Sequence, residues 1–583
     1  MRLYSPKLDG RPERQLYNLL VFGGRNMSET KKTSVDLIIK NAKIYTVNKK
    51  QPWATALAVK DGKFVYVGQD AGLTDFEGPV KDAGGKFIIP GLIDAHCHIG
   101  HSIRNTVVPP STMLKSTGKK DILEEIRTHI EANPGKKEYL FSLSVEKLDG
   151  ETLRFEDIDS VCKDVPVRIN EQEMHSIWCN TKYFKSMGID EYAPDMSPGY
   201  CIYERDPDGR INGRIYEMCM FLDKPELIDE NVYISELDKF FAWANEHGIV
   251  AFFDAGVLGC FENAEQYYKV MSEYDKTGKL NQYVEAALHI VKPYQVDHAI
   301  DTLKEFGKKY DTEHFRIDIM KIQTDGTFNG RTACVTEPYL DNGLNGGTLI
   351  PYERLEQFMM ELNAEGIDFH LHSIGDKTVH MILDAVECCK NKLGDDWKIQ
   401  VTVAHVEQTP DEDLGRFAEL GVNVDFTPFW AGGITIGGGI DAAESFLGYE
   451  RAHKMYRFNS VYNTGAVVTF SSDTISMIMP LWNPYLGMEV GMTRQLDTEN
   501  ILINDFRNAP VYPPVEERMS LAQMISGYTI NAAKRMRLDD KIGSIEVGKD
   551  ASFNIFANNL FELDPYEIHK QLPEEFYIRG VKQ

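Results

Sequence analysis

The sequence predicts an α/β protein, a (β/α)8 TIM-type barrel with a small β-sandwich domain built from both chain ends. Three observations predict it. Eight short apolar runs alternate with helical patterns through the middle of the chain. β-rich runs with turn chemistry sit at both ends. Histidine, lysine and aspartate side chains recur at the C-terminal ends of the apolar runs, where a barrel of this type carries its chemistry.

Residues 1–34 read as a flexible leader without assigned function, polar and Gly- and Arg-containing over 1–26. Asp36 to Val47 and Ala56 to Val67 partly alternate, and Asp61-Gly62 supplies a turn inside the second run. Ala551 to Phe556 and Phe576 to Val581 have the same texture, so 35–86 plus 540–583 are expected to form the small β domain. The barrel is expected over 87–539. Its strands are Phe87–His96, Ile249–Ala255, Tyr283–Ile290, Ile317–Gln323, Ile367–His372, Gln400–His405, Val422–Thr427 and Val467–Asp473. Helical patterns at Tyr352–Ala364, Asp376–Cys389 and Asp411–Leu420 separate several of them. Two further strand-like runs, Glu138–Val145 and Val165–Glu173, are assigned to an insertion of about 102–235 between the first two barrel strands. Gly432 to Gly439 reads as a flexible loop; it lacks the Lys-Ser/Thr that a phosphate-binding loop needs.

Composition narrows the partners. A formal charge of -25 argues against nucleic acid and against an anionic membrane surface, although solubility alone accounts for such acidity. No apolar run is long enough to span a bilayer, and Leu19 to Phe22 is too short for a signal-peptide core. Nine cysteines, with Cys388 and Cys389 adjacent and no CxxC pair, fit a reducing cytoplasm. A cytoplasmic protein is expected, and a homodimer is the commonest assembly to expect of it.

In the run FIIPGLIDAHCHIGH, strand alternation sends His96 and His98 to one face and Cys97 to the other. Two neutral imidazoles at a strand end can hold one divalent metal ion, although a bare HxH is more readily a pair of satisfied histidines. Reading the strand ends in order adds Lys321, His372, His405 and Asp473.

With PGLIDAHCH at 90–98, KIQTDGTFNGRTA at 321–333, HSIGDKTV at 372–379, AHVEQTPDEDLGRF at 404–417, SSD at 471–473 and TINAA at 529–533 leading into GSIEVGKDASF, the chain resembles the amidohydrolase superfamily. The resemblance is to its branch of YtcJ-like metal-dependent hydrolases (amidohydrolase family 3), and it runs from Asp36 to the C-terminus. It implies that His96 and His98 hold a more buried metal and His372 and His405 a more exposed one. Lys321 would bridge the two as a carboxylated lysine, since an unmodified ammonium has no lone pair. A salt-bridging lysine is the alternative, with Glu217 of GRIYE as the substitute ligand. Asp473 would be both ligand and proton shuttle. The expected cofactor is two divalent ions per chain, zinc first, with iron, manganese or cobalt as alternatives.

His175 of EMHSIWCN is expected to touch substrate, with Trp178 as pocket wall or plain core. Arg331 is expected to orient a carbonyl or carboxylate, or else to form a structural ion pair. His370 reads as a core or supporting residue, His101 as a loop histidine or substrate contact, and Cys97 as a core filler. The family more often has GSD where this chain has SSD, and serine is small enough to expect little change. Met477, Met479 and Trp482 would suit an apolar pocket, or packing.

The implied activity is hydrolysis of a carbon–nitrogen bond in a small amide, formamide or cyclic amide, by metal-activated hydroxide with an aspartate proton shuttle. Two rivals remain. A mononuclear aminohydrolase (deaminase) usually carries a glutamate three residues after the strand-five histidine, where this chain has Gly375 followed by Asp376. A catalytically silent barrel would serve as a binding or regulatory protein.

Overall fold

The computed structural model describes residues 32–107, 111–171, 175–221, 225–432, 439–477, 479–495, 511 and 514–583. The leader up to 31 and the glycine loop at 433–438 lie outside the described residues.

An eight-stranded parallel sheet runs in sequence order through Leu92–Cys97, Ile249–Asp254, Tyr283–Ile290, Phe315–Gln323, Asp368–Ser373, Val401–His405, Asn423–Phe426 and Val468–Phe470. Sequential parallel neighbours joined by helices are the pattern that βαβ crossovers impose. The eighth strand returns to the first at the C-terminal mouth. There Asp473 N donates to His96 O at 2.8 Å and His98 N donates to Thr474 O at 3.2 Å. Both hydrogen bonds involve candidate ligand residues, so the contact between the two end strands also positions the candidate site. Every residue of these eight strands is buried apart from Tyr283, Arg316 and Asp318, as expected of a sheet covered on both faces.

The expected first strand, Phe87–His96, is two strands. Phe87–Pro90 pairs with Phe553–Phe556 and Lys43–Tyr45, and only Leu92–Cys97 enters the barrel. The break has a physical cause. Pro90 has no N–H to give a continuing ladder, and Gly91 lies so close to Val250 that an added Cβ would stand 2.9 Å from its Cβ.

Phe87–Pro90 belongs to a six-stranded sheet that interleaves both chain ends. A four-stranded sheet, Lys63–Gly68, Ala56–Lys60, Leu37–Lys40 and Val80–Asp82, shares an apolar cluster with it through Ile39, Leu57, Phe64, Ile88, Phe553 and Ile555. Tyr139–Leu143 and Val167–Glu171, the two runs left out of the barrel, lie in a separate six-stranded sheet. That sheet has its own core around Leu114, Phe141, Leu143 and Trp178. All nine cysteines are free thiols, and Cys97 is buried in the main core. No helix among the described residues is long and apolar enough to cross a membrane.

Candidate metal centre

The Asp473 carboxylate lies among three imidazoles. Its Oδ1 is 3.3 Å from His96 Nε2 and 3.4 Å from His98 Nε2, and its Oδ2 is 3.7 Å from His405 Nδ1. Lys321 Nζ is 3.5 Å from His96 Nε2. His372 joins through its ring, whose centroid is 4.5 Å from that of His405. The structure thus brings all six candidate ligands to one place. Ligand atoms of His96, His405 and Asp473 all lie within 4.8 Å of one another, and His405 Nδ1 is a buried nitrogen with no hydrogen-bond partner among the described residues. Imidazole and carboxylate donors at this spacing fit a divalent metal ion.

Backbone conformation at the mouth is unusual where it matters. His405 has φ 72° and Asp473 φ 45°. A non-glycine residue costs about 1–3 kcal/mol there and persists only where its surroundings fix it. Here Val406 N donates to Ser373 O at 2.9 Å and Asp473 N to His96 O at 2.8 Å, pinning each turn to the neighbouring strand.

Hydrogen bonds behind the imidazoles set their tautomers. His98 Nδ1 is 2.7 Å from the Gly256 carbonyl, which can only accept, so Nδ1 carries the proton and Nε2 offers a lone pair to the centre. His96 is held differently. Arg535 Nη2, always a donor, is 2.9 Å from His370 Nδ1, so His370 carries its proton on Nε2 and donates it to His96 Nδ1 at 3.0 Å. Neutral His96 then keeps its own proton on Nε2, facing Asp473. A divalent ion held at His96 Nε2 would take the place of that proton; His96 Nδ1, which accepts from His370, lies 3.6 Å from Asp425 Oδ2. Burial above all, then Lys321 and His370, pushes the proton affinity of His96 well below the ordinary imidazole range.

Lys321 is 1% exposed and makes no ion pair within 4.0 Å among the described residues. Desolvation drives its pKa down to about 7, with Asp473 and Asp425 opposing the drop. A salt-bridging lysine is not what the geometry contains.

The expected substrate residues fare unequally. His175 lies at the mouth, near enough that its charge disfavours protonation of His372 and His405, after burial and Lys321 for the first, and after burial, His372, Lys321 and His98 for the second. Its Nδ1 is 2.7 Å from Glu217 Oε2, and Glu217 Oε1 accepts from the Thr332 hydroxyl and from Thr327 N. Glu217 therefore ties the insertion to the fourth barrel loop and aims His175, with both carboxylate oxygens engaged by these partners.

Trp178 does not line the mouth. It is fully buried in the insertion core, its Nε1 donating to Thr152 Oγ1 at 3.2 Å and the Arg214 guanidinium 4.8 Å above its ring. Truncating Trp178 to alanine should cost about 3–5 kcal/mol of stability, read by denaturant unfolding, with KM unchanged; a raised KM at unchanged stability would restore it to the pocket.

Arg331 is also structural. Its Nε and Nη2 each lie 2.8 Å from Asp341 Oδ2, Nη1 donates to two backbone carbonyls, and the guanidinium stacks 3.7 Å from the Phe446 ring. Trp482 is 1% exposed, donates to Ser476 O and packs edge-on against Phe240. It is core, Met477 is only partly buried against that core, and the Met479 side chain lies outside the described residues.

Several neighbours were not foreseen. Asp425 accepts from Thr469 Oγ1 at 2.6 Å and Ser471 Oγ at 2.7 Å. Ser471, the serine of SSD where the family favours glycine, thus bonds the acid that faces His96. Trp430 stacks on His405 at 5.0 Å and 16°. Arg535, from the segment following TINAA, is 3% exposed and pairs with Glu285 at 2.8 Å beneath the site. His289 is buried beside His98. Its place at a strand end was a usable signal; the others come from neighbouring strands and a distant helix that spacing does not connect.

A barrel with this cluster at its C-terminal mouth defines the class: the chain belongs to the amidohydrolase family, whose model matches residues 80–582. Among curated relatives it is similar to the exoenzymes regulatory protein AepA of Pectobacterium carotovorum, 26% identical over 74% of this chain and 92% of that protein. It is similar to the putative amidohydrolase YtcJ of Bacillus subtilis, 24% identical over 92% and 97%. It is also similar to the N-substituted formamide deformylase of Arthrobacter pascens, 23% identical over 94% and 98%. In fold it matches an uncharacterized metal-dependent hydrolase from Pyrococcus furiosus, with a TM-score of 0.60 and 21% identity over 90% of this chain and all of that one.

Proposed function

We propose that the protein hydrolyses a carbon–nitrogen bond in a small amide, formamide or cyclic amide. The observation that carries this reading is the Asp473 carboxylate set among His96, His98 and His405 within 3.7 Å. His96 and His98 would hold one ion and His372 and His405 a second, zinc first, with Lys321 as a carboxylated ligand to both. Bound metal would supply Lewis acidity toward the carbonyl and lower the pKa of water toward neutrality. Asp473 takes the proton lost by the attacking water and returns it to the departing nitrogen. His98, fixed by Gly256, and His96, braced by His370 and Asp425, keep their ring planes on the centre. The relative named as a formamide deformylase supports the formamide arm. We read the two sheets built from the chain ends as a small β domain that closes the barrel's first strand against the C-terminus.

An aminohydrolase fits less well. A side chain at position 375, where such enzymes usually carry their glutamate, would put its Cβ 2.0 Å from the Cys334 carbonyl oxygen, and the Asp376 carboxylate is taken by Thr336 N at 3.0 Å. The relative named as a regulatory protein raises a silent-barrel reading, against which stands the presence here of Asp473 with every candidate ligand. Purified protein, restored with the metal that elemental analysis identifies, should turn over members of a panel of N-acyl and N-formyl amines. Binding of a small molecule without turnover across that panel would favour the silent barrel.

A further inference from the structure

His289 occupies the penultimate position of the third barrel strand, in register with Lys321 on the fourth. Register partners on adjacent strands point to the same face, so His289 shares the barrel interior with Lys321. Its ring lies nearly parallel to that of His98, with 5.8 Å between centroids and 23° between planes. It is 1% exposed, and neither ring nitrogen has a hydrogen-bond partner among the described residues. Buried imidazoles are rarely left so, because an unsatisfied polar atom costs about 1–3 kcal/mol. His101, on the first turn of the helix Ile99–Val107, adds a second orphan on this side of the site: it is 6% exposed and its Nδ1 lacks a partner. Among the described residues no carboxylate or carbonyl answers these nitrogens, which leaves them open to a group that enters the site.

The six candidate ligands already supply donors for two ions, so His289 is not called on as a ligand. A neutral imidazole does offer one N–H donor and one lone pair.

We propose that His289, flanked by His101, forms a subsite that donates a hydrogen bond to the acyl oxygen of the substrate and to the carboxylate that the acyl group becomes. This rests on the hydrolase reading above, and it names the side of the centre on which the acyl group lies: the wall of strands one and three, against His98. Trp430, on the His405 side, then faces the departing amine.

The test uses cobalt(II)-loaded full-length protein titrated with formate and with acetate, followed by visible absorption, alongside metal content and Tm. His289→Phe, which keeps a flat ring without a donor, should bind both anions about ten- to a hundredfold more weakly, the worth of one charge-assisted hydrogen bond. His289→Asn, smaller and still a donor, should fall between, and covers the chance that phenylalanine is too large beside Gly256. Metal content should match wild type in both. Unchanged anion affinity in both metal-replete variants would overturn the subsite and leave a core histidine. Metal loss in both would overturn it in favour of a ligand role. Wild-type protein that takes up no cobalt would instead overturn the hydrolase reading on which the subsite rests.

Discussion

Asp473→Asn should reduce kcat by about 10²–10⁴-fold, the range of a lost general acid–base group, and leave metal content near wild type. The expectation follows from its position. Asp473 touches three imidazoles at 3.3, 3.4 and 3.7 Å, so an amide oxygen in its place can still face the centre. What asparagine cannot do is accept and return a proton. Its main-chain bond to His96 O does not depend on the side chain, so the closure between strands one and eight should survive. Single-turnover rates and elemental analysis on one preparation separate the two roles. Loss of metal together with turnover would make Asp473 chiefly a structural ligand.

The second large effect is at Lys321. Lys321→Ala should lose at least one metal ion per chain and nearly all activity, and short carboxylic acids should restore part of both by standing where the lysine carboxylate would. The side chain is buried, lacks a carboxylate partner within 4.0 Å among the described residues, and ends 3.5 Å from His96 Nε2. Placing an unpaired ammonium there serves no purpose in stability, since an unpaired buried charge costs several kcal/mol, about 3–5 when its partner is missing. A carboxylated side chain would turn that liability into an anionic bridge. Full activity in Lys321→Ala would remove the bridging role.

The barrel was legible because its strands are apolar runs long enough to recognise and each relevant one stops on a metal-type side chain. Lys321 lies two residues from the end of its run, His372 and His405 close the next two, and adjacency in a parallel sheet then brings them together. The break at Pro90-Gly91 was not read, because an unbroken apolar run looks like one strand until the close approach of Val250 is seen. Trp178 illustrates a different limit. Near a histidine in the sequence, it lies on a strand whose alternate faces serve different cores, so His175 reaches the mouth while Trp178 fills the insertion. Glu217 could be recognised as an important acid but not as the clamp on His175, since Thr327 and Thr332 lie more than a hundred residues away. The Arg535–His370–His96 relay was invisible because it needs a late helix brought beneath the first and fifth strands, and the Ser471–Asp425 pair because it joins side chains 46 residues apart on the seventh strand and just past the eighth.

The central claim is that this mouth is a metal centre, and metal stoichiometry tests it most directly. Elemental analysis of the full-length protein after repletion should give about two divalent ions per chain, and His96→Asn and His98→Asn should each lower that number. A replete wild-type protein holding no tightly bound divalent metal would contradict the account.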